Sequence, residues 1–356
     1  MDTRAHLAAL STATGISGYE QAVRNLLRTV WEPLVDEIRS DPLGNLIALK
    51  RGTQTDEPRR AIMLAAHSDE IGLMVTGTKE GFVRFTTVGG IDLRTIVGQE
   101  VVVHGRRDLP GIIATRPPHV LSTKERSQAI PIKDLYVDVG LPAKEIKDWV
   151  RVGDLISMRV PFTELSGSFV AGKAFDDRTG IAALSVCLDT LQGLAHTWDV
   201  YCVATSQEEV GLRGALVSAY GLTPDIAIAV DVTFGAQQGV SERESVKMDG
   251  GPAIGLGQNV HPAVLAGLKK VAASYELKNQ IEVIPGASGT DGWAIQVARD
   301  GVPTGLVSIP LRYMHTVVET VSICDVERTG RLLAWYAADL KDDVCCEMYA
   351  LGDDQS

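Results

Sequence analysis

A short apolar run near the middle of the chain is followed directly by two adjacent acids. Residues 200–204 (Val-Tyr-Cys-Val-Ala) are β-branched, aromatic or small and are bounded by polar residues, which predicts a buried strand. Glu208 and Glu209 lie just past its carboxyl end, the edge at which α/β sheets bind ligands. Apolar residues then recur with the spacing of one helix face, at Leu212, Ala215, Leu216 and Ala219. This pattern predicts a strand, an acidic loop and a helix.

The N-terminal region shows the same alternation of helix and strand. Ser17 and Glu20 have the spacing of a capping box, and apolar residues follow at helical intervals, at Val23, Leu26, Leu27 and Val30. Residues 61–66 are continuously apolar, which predicts a central strand that is buried on both faces and leads into His67 and Asp69. Because alternate residues of an extended chain share a face, the Asp69 carboxylate can support the His67 imidazole.

The character of the sequence changes between residues 71 and 162. Short β-prone segments alternate there with Gly, Pro and charged turns, which is typical of a small β-barrel or sandwich, and only residues 142–150 look helical. The α/β pattern then returns, so this piece is predicted to be inserted into the larger domain, where it lines the cleft or makes oligomer contacts. We expect residues 1–70 and 163–345 to form the larger domain and 346–356 a C-terminal tail.

A second pair of adjacent acids precedes a long helical pattern. Asp176 and Asp177 are followed by apolar residues at helical spacing, so they lie at the start of a helix, where the macrodipole favours negative charge. Helix capping together with an ion pair to Arg178 explains the pair as well as a functional role does. Because the two acids are adjacent, we expect at most one of them to be a central ligand.

Two more predicted strands lead into polar side chains. Residues 224–231 form a buried strand that ends in Asp231, and the strand 305–309 leads to His315. Acids and histidines that accumulate at strand ends across most of the larger domain imply convergence on one site. The other members of this set are His67, Asp176, Glu208 and Glu209.

Composition limits the classes of protein that the chain can represent. Its 356 residues are 45% apolar and 22% charged, an ordinary globular composition that suggests roughly two domains. The net charge of −11 argues against nucleic acid or an anionic membrane as a partner. The five cysteines lack CxxC spacing, so neither a zinc ribbon nor a disulfide framework is predicted. Without a signal-like N-terminus or a long apolar span, we expect a cytoplasmic protein.

The converging residues favour a metal centre over the structural interpretations. A solvated glutamate pair and a satisfied structural histidine are each the commoner explanation for such residues taken singly. Two histidines with three carboxylates, however, make a poor triad and a good ligand set for zinc, cobalt or manganese. Five ligands exceed the need of one catalytic zinc and suit two ions about 3.5–4 Å apart that share a carboxylate. One member of the Glu208 and Glu209 pair is left as proton shuttle, and the residues alone leave open which.

Six motifs carry most of these residues: Ala-His-Ser-Asp-Glu-Ile-Gly at 66–72, Gly-Lys-Ala-Phe-Asp-Asp-Arg at 172–178, Ser-Gln-Glu-Glu-Val-Gly-Leu-Arg-Gly at 206–214, Val-Asp at 230–231, Gly-Ala-Ser-Gly-Thr-Asp-Gly at 286–292 and Arg-Tyr-Met-His-Thr at 312–316. In this order they resemble the M42 family of metallo-aminopeptidases, which includes the TET aminopeptidases and proteins called cellulase M. The resemblance implies an α/β fold in which a mixed-sheet α/β/α dinuclear aminopeptidase domain carries an inserted small β-barrel (PDZ-like) domain. It also implies peptide substrates and a twelve-subunit tetrahedral homo-oligomer.

The same resemblance, carried over position by position, assigns the metal ligands. It implies two divalent metal ions per subunit, one of which is bound by His67 and Asp231 and the other by Glu209 and His315. Asp176 would bridge the two ions. None of these assignments follows from the spacing of the residues alone.

The remaining motif residues receive different roles. Glu208 matches the family's general base, which takes a proton from the attacking water and passes it to the leaving amine, while Asp69 would orient His67. Val317 departs from the family pattern, which often has proline at this position. Asp291 lies in a Gly-rich loop, where it either borders the substrate cleft or caps a turn.

Two other functions compete with the peptidase hypothesis. An endoglucanase, as the name cellulase M suggests, would need two carboxylates roughly 5–9.5 Å apart across a sugar ring, which adjacent glutamates do not predict. An inactive assembly protein would bury many unneutralised acids at a high cost in free energy. We therefore hypothesise a cytoplasmic two-metal aminopeptidase that acts on the free N-termini of short peptides.

Overall fold

The structure, a computed structural model, describes residues 1–55 and 57–341, and of residue 125 the backbone only. The predicted tail 346–356 and the end of the larger domain lie outside these residues. The strands are β1 (Glu37–Ser40), β2 (Leu46–Lys50), β3 (Ala61–His67), β4 (Gly72–Lys79), β5 (Phe82–Val88), β6 (Glu100–His104), β7 (Asp108–Ala114), β8 (Tyr136–Asp138), β9 (Leu155–Met158), β10 (Thr163–Glu164), β11 (Phe169–Gly172), β12 (Asp199–Thr205), β13 (Ile226–Phe234), β14 (Ala253–Gly257), β15 (Gln280–Ile284), β16 (Thr304–Arg312) and β17 (Glu319–Ser322). The helices are α1 (Thr3–Thr12), α2 (Gln21–Trp31), α3 (Leu93–Ile96), α4 (Thr123–Arg126), α5 (Ile146–Trp149), α6 (Phe175–Leu191), α7 (Arg213–Leu222), α8 (Pro262–Ser274), α9 (Asp291–Ile295) and α10 (Ile323–Asp339).

A mixed sheet of eleven strands forms the centre of the larger domain, in the order β1-β2-β12-β3-β13-β16-β17-β11-β10, with β14 and β15 joined at β16. The four central strands β12, β3, β13 and β16 are parallel to one another. Every residue of β3 is buried, because its continuous apolar run is covered on both faces. The predicted strands at 61–66 and 200–204 are therefore confirmed, and their carboxyl ends share one edge of the sheet.

Helices cover both faces of this sheet. On one face α1, α2, α6, α8 and α10 enclose the largest apolar core, in which Trp31 and Phe175 are fully buried. On the other face α7 and α9 pack through Ala215, Ala219 and Ile295. This arrangement confirms the predicted α/β/α architecture. Among the described residues, no helix is both long and apolar enough to cross a membrane.

A closed barrel of six strands, in the order β4-β5-β8-β7-β6-β9, forms between β3 and β10 of the chain. Its apolar interior includes Leu73, Val103 and Ile156, which alternate with outward-facing residues along their strands. Val317, from the segment after β16, packs into the same interior. The prediction of a small β-barrel is confirmed, while the domain boundaries at residues 71 and 162 stay predictions.

Two details of the predicted elements are wrong. Residues 142–150 are not the only helical piece of the insertion, since α3 and α4 also form there and the helix itself covers only Ile146–Trp149. One-turn helices are too short to produce an apolar period in the sequence. The strand predicted to end at Asp231 continues to Phe234, because Val232 and the next two residues keep pairing with β16. Asp231 therefore lies within a strand, not at its end.

The close approach of α6 and α10 generates a stability prediction. A Cβ added at Gly330 of α10 would lie 2.5 Å from the Ala183 carbonyl oxygen of α6. We expect Gly330→Ala to lower the free energy of unfolding by about 1–3 kcal/mol through overpacking. Gly221→Ala in α7, where no atom lies within 4 Å of the new Cβ, should raise it by about 0.5–1 kcal/mol. Denaturant unfolding of both variants checks this, and equal stabilities would contradict it.

Candidate metal centre

The candidate residues meet at the carboxyl edge of the four parallel strands. His67 is the last residue of β3, and Glu208 and Glu209 follow β12. Asp231 lies near the end of β13, and His315 follows β16. The pairing of Thr205 with His67 places the ends of β12 and β3 level with each other. The structure therefore brings together residues that are separated by up to 248 positions in the chain.

The start of α6 delivers Asp176 to the same place. Asp176 and Asp177 are joined by a cis peptide bond, and their φ/ψ values are not helical, so the regular helix begins at Arg178. Asp177 accepts a hydrogen bond from the Gly180 N–H at 2.9 Å, as an N-cap does, which leaves Asp176 free to turn towards the strands. The predicted ion pair to Arg178 is wrong, because this guanidinium donates to the Leu10 carbonyl instead.

The Asp176 carboxylate lies between the two histidines. Its Oδ1 is 3.0 Å from Nε2 of His67, and its Oδ2 is 3.4 Å from Nε2 of His315. The two glutamates lie one on each side: Glu208 Oε2 is 3.9 Å from His67 Nε2, and Glu209 Oε1 is 3.8 Å from His315 Nε2. The site thus has two halves that share one carboxylate. Glu208 and the Glu209 side chain are almost completely buried, so the interpretation as a solvated pair is wrong.

The donor atoms fit divalent cations. Two groups, each with ligand atoms within 4.8 Å of one another, are His67 with Asp177 and Asp231, and His67 with Asp176 and Glu209. Imidazole and carboxylate are ligands that zinc, cobalt and manganese accept. The Asp177 Oδ2 atom is buried without a hydrogen-bond partner, as expected of a group that faces a missing positive charge. Sequence reasoning missed Asp177, because its adjacency to Asp176 argued against a second inward-facing acid.

Asp69 organises the loop that carries the glutamates. Its Oδ1 accepts the Glu208 N–H at 3.0 Å, and its Oδ2 accepts the Glu209 N–H at 3.2 Å and the Ser17 hydroxyl at 2.6 Å. His67 Nδ1 is 3.2 Å from the Asp69 carbonyl oxygen and 3.6 Å from the carboxylate. The predicted capping box is therefore wrong, since α2 begins at Gln21 and the Ser17 hydroxyl is bonded to Asp69.

A loop of the barrel holds His315 from the other side. The Gly90 carbonyl oxygen lies 3.0 Å from His315 Nδ1, and the Asp92 N–H donates to the His315 carbonyl at 3.1 Å. A Cβ at Gly90 would lie 2.8 Å from this ring nitrogen. The barrel therefore contacts the candidate site directly, and it does so through backbone atoms that carry no signal in the sequence.

Asp291 lies behind the centre, in neither of the places that the sequence suggested. It is the first residue of α9 and only 1% exposed, so it neither borders an open cleft nor caps a turn. Its Oδ2 accepts the Thr205 hydroxyl at 2.5 Å, while its Oδ1 is buried without a partner. Burial raises the pKa of Asp291 to about 6. It adds one more acid to the region.

The glutamates lie in an environment that opposes ionisation. Burial, reinforced by the charge of Asp231, raises the pKa of Glu208 to about 10. Burial and Asp176 raise the pKa of Glu209 to about 7. Burial likewise raises the pKa of Asp231 well above its usual range. Each of these shifts disfavours the charged carboxylate, and opposite charge within the site would favour it.

The pKa values of the two histidines are also raised, which for an imidazole favours the charged form. The hydrogen bond to Asp176, with help from Glu209, raises the pKa of His315 to about 9. Burial opposes protonation of His67, but the charge of Glu208 and the neighbouring aspartates raise its pKa well above the usual value. Divalent cations bound here would favour the ionised carboxylates and the neutral imidazoles, which are the forms that ligate metals.

Comparison with known proteins identifies aminopeptidases that are similar to this chain. The family model for M42 glutamyl aminopeptidases matches residues 44–332. A lysyl aminopeptidase of Pyrococcus furiosus is 34% identical over 334 residues, which cover 92% of this chain and 94% of the relative. The solved structure of a TET aminopeptidase from Thaumarchaeota archaeon SCGC AB-539-E09 is similar with a TM-score of 0.91 and 32% identity, over 97% of this chain and 98% of that chain.

A third relative shares the fold, and its assembly has been described. The TET1 peptidase of Pyrococcus horikoshii, which can assemble into a tetrahedron or a large octahedral shell, is similar with a TM-score of 0.83 and 32% identity, over 95% of this chain and 100% of that chain. These matches include the mixed sheet and the barrel, and they confirm the resemblance that the six motifs indicated. The chain belongs to the M42 family of metal-dependent aminopeptidases.

Proposed function

We propose that the protein is a two-metal aminopeptidase that hydrolyses the N-terminal peptide bond of short peptides. The main support for two metal ions is the position of the Asp176 carboxylate. Its Oδ1 lies 3.0 Å from Nε2 of His67, and its Oδ2 lies 3.4 Å from Nε2 of His315. A carboxylate with one ligating histidine at each oxygen has the arrangement of a bridge between two cations about 3.5–4 Å apart.

The proposed ligands are those that the family resemblance implies. His67 and Asp231 would hold one ion, Glu209 and His315 the other, and Asp176 would bridge them. Zinc, cobalt and manganese all suit these donors. When bound, two such ions lower the pKa of a water molecule and polarise the scissile carbonyl.

Glu208 would act as the general base. It is buried beside the proposed ligands, with its Oε2 3.9 Å from His67 Nε2, so it can take a proton from the attacking water and give it to the leaving amine. Its pKa of about 10 without cations would fall when opposite charges enter within about 4–6 Å, because these favour the carboxylate. Asp69 would keep Glu208 in place through the backbone N–H and orient His67.

The two rival functions fit the site less well. Ligand atoms of Asp176 and Glu209 lie within 4.8 Å of each other, so these carboxylates leave no room for the sugar ring that a glycosidase places between carboxylates roughly 5–9.5 Å apart. An assembly protein without catalysis would gain nothing from acids whose burial is this costly. Both observations favour the peptidase.

We also propose that the protein works as a cytoplasmic homo-oligomer, of the tetrahedral dodecamer type that the family resemblance implies. Several large apolar side chains are exposed on the larger domain, among them Tyr220, Val283 and Val297, at 60%, 70% and 66% exposure. Exposed apolar surface of this kind often marks subunit contacts. The three free cysteines among the described residues, Cys187, Cys202 and Cys324, suit a reducing compartment.

The first prediction tests the activity and the base together. Glu208→Gln should lower turnover of aminoacyl chromogenic substrates by at least ~10²-fold, because the general base is lost. Its content of zinc, cobalt or manganese, supplied in turn, should equal that of the wild type, because the ligands are unchanged. Wild-type protein that is stripped with a chelator and reloaded serves as the control. Near-normal turnover by the variant would reject Glu208, and release of reducing sugar without free amino acids would reject the peptidase.

The second prediction concerns the contribution of the barrel to the centre. Gly90→Ala should lower kcat/KM by roughly 10-fold or more, because the new Cβ would displace the His315 ring. Gly77→Ala is the matched control, since it lies in the same barrel and its added Cβ has no atom within 4 Å. Steady-state kinetics on the two variants measures the difference. Equal activity would show that the contact between Gly90 and His315 does not position the ring.

A further inference from the structure

We propose that Glu319 is a positioning residue whose carboxylate clamps together the two backbone segments that carry Asp176 and His315. This inference rests on the proposed two-metal function and adds to it the device that sets the distance between the bridging carboxylate and the far histidine. Glu319 itself would touch neither substrate nor metal.

The contacts of Glu319 define the clamp. Its Oε2 accepts the Asp176 N–H at 3.1 Å, and its Oε1 accepts the His315 N–H at 3.2 Å. The residue is 2% exposed, so water does not compete for these bonds. Each oxygen holds one backbone donor, so the carboxylate faces the main chain of the two proposed ligands.

The fold explains why the clamp lies at this position. Glu319 is the first residue of β17, and the antiparallel register pairs it with Gly172, just before the segment that leads to Asp176. Two residues earlier, Val317 is anchored in the barrel interior. The segment from His315 to Glu319 is therefore fixed at both of its sides before any ion binds.

The local backbone needs such an external support. His315 has a φ of +60° and Tyr313 a φ of +65°, both in the left-handed region that non-glycine residues rarely adopt. Asp176 also has a non-helical backbone at the start of α6. Neither ligand is thus held by a regular helix or strand. A carboxyl group that accepts both N–H groups fixes the two irregular segments relative to each other.

A second buried carboxylate, remote from the proposed metal centre, also accepts two backbone N–H groups and serves as the control. Asp325 at the start of α10 is fully buried and accepts the backbone N–H groups of Asp249 at 2.7 Å and Gly251 at 2.8 Å. Neither of these residues is a proposed ligand. Replacing a carboxylate by an amide leaves one oxygen acceptor and turns an NH2 group towards the second N–H. Glu319→Gln and Asp325→Asn therefore both replace a buried carboxylate by an amide, and Asp325→Asn also weakens the 3.2 Å contact with Arg328 Nη1.

The experiment compares the affinity of the full-length protein for cobalt in three forms. Metal-free wild type, Glu319→Gln and Asp325→Asn are titrated with Co²⁺ while the visible absorption of the bound ion is followed, and thermal unfolding is measured on the same samples. The wild type should bind two ions. Glu319→Gln should bind one of them roughly 10- to 100-fold more weakly, with an altered spectrum, because the ligands are no longer held apart correctly. Asp325→Asn should lose thermal stability but bind as the wild type does.

Each outcome decides between distinct possibilities. Wild-type affinity and spectrum in Glu319→Gln would overturn the clamp and leave the two-metal centre intact. Equal loss of affinity in Asp325→Asn would also overturn it, because general destabilisation would then be the cause. A wild type that binds fewer than two cobalt ions would instead reject the proposed function. If Glu319→Gln does not fold, Glu319→Asp, which shortens the reach of both acceptors, is judged by the same criteria.

Discussion

The structure depends on which positive charges neutralise its buried carboxylates. Acids from separate parts of the chain are brought to one edge of the central sheet, and burial raises the pKa of several of them. Lys173 and Arg178 are also buried nearby, but both face Glu70, at 2.5 Å and 3.8 Å. The carboxylates that we propose as ligands are therefore left with two histidines, and the proposed cations would complete the balance of charge. This arrangement fits the metal dependence of the M42 family.

Each half of the centre is supported by different elements. On the His67 side, support comes from the parallel strands and from Asp69, which binds the loop after β12 through two backbone N–H groups. On the His315 side, it comes from the barrel loop at Gly90 and from Glu319. The barrel and the larger domain thus meet at the second half of the site. A displacement of the barrel relative to the larger domain would therefore change the His315 half of the site first.

The sequence predicted the elements and the converging side chains, because these depend on apolar periodicity and residue type. The strands that lead to His67 and to Glu208, and the change to short β segments after residue 71, were visible in the pattern alone. The features that were predicted wrongly or missed have physical causes. Ser17 resembled a helix cap because a serine hydroxyl can accept a backbone N–H, whereas in the structure this hydroxyl donates to the Asp69 carboxylate. Gly90 and Glu319 were missed because their contacts involve the backbone atoms of partners that are distant in the chain.

Anomalous diffraction from crystals of the protein grown with zinc or cobalt tests the central claim most directly. The account predicts two peaks about 3.5–4 Å apart, one beside His67 and Asp231 and the other beside Glu209 and His315, with the Asp176 carboxylate between them. A single peak in this region, or peaks only at other surfaces, would contradict it.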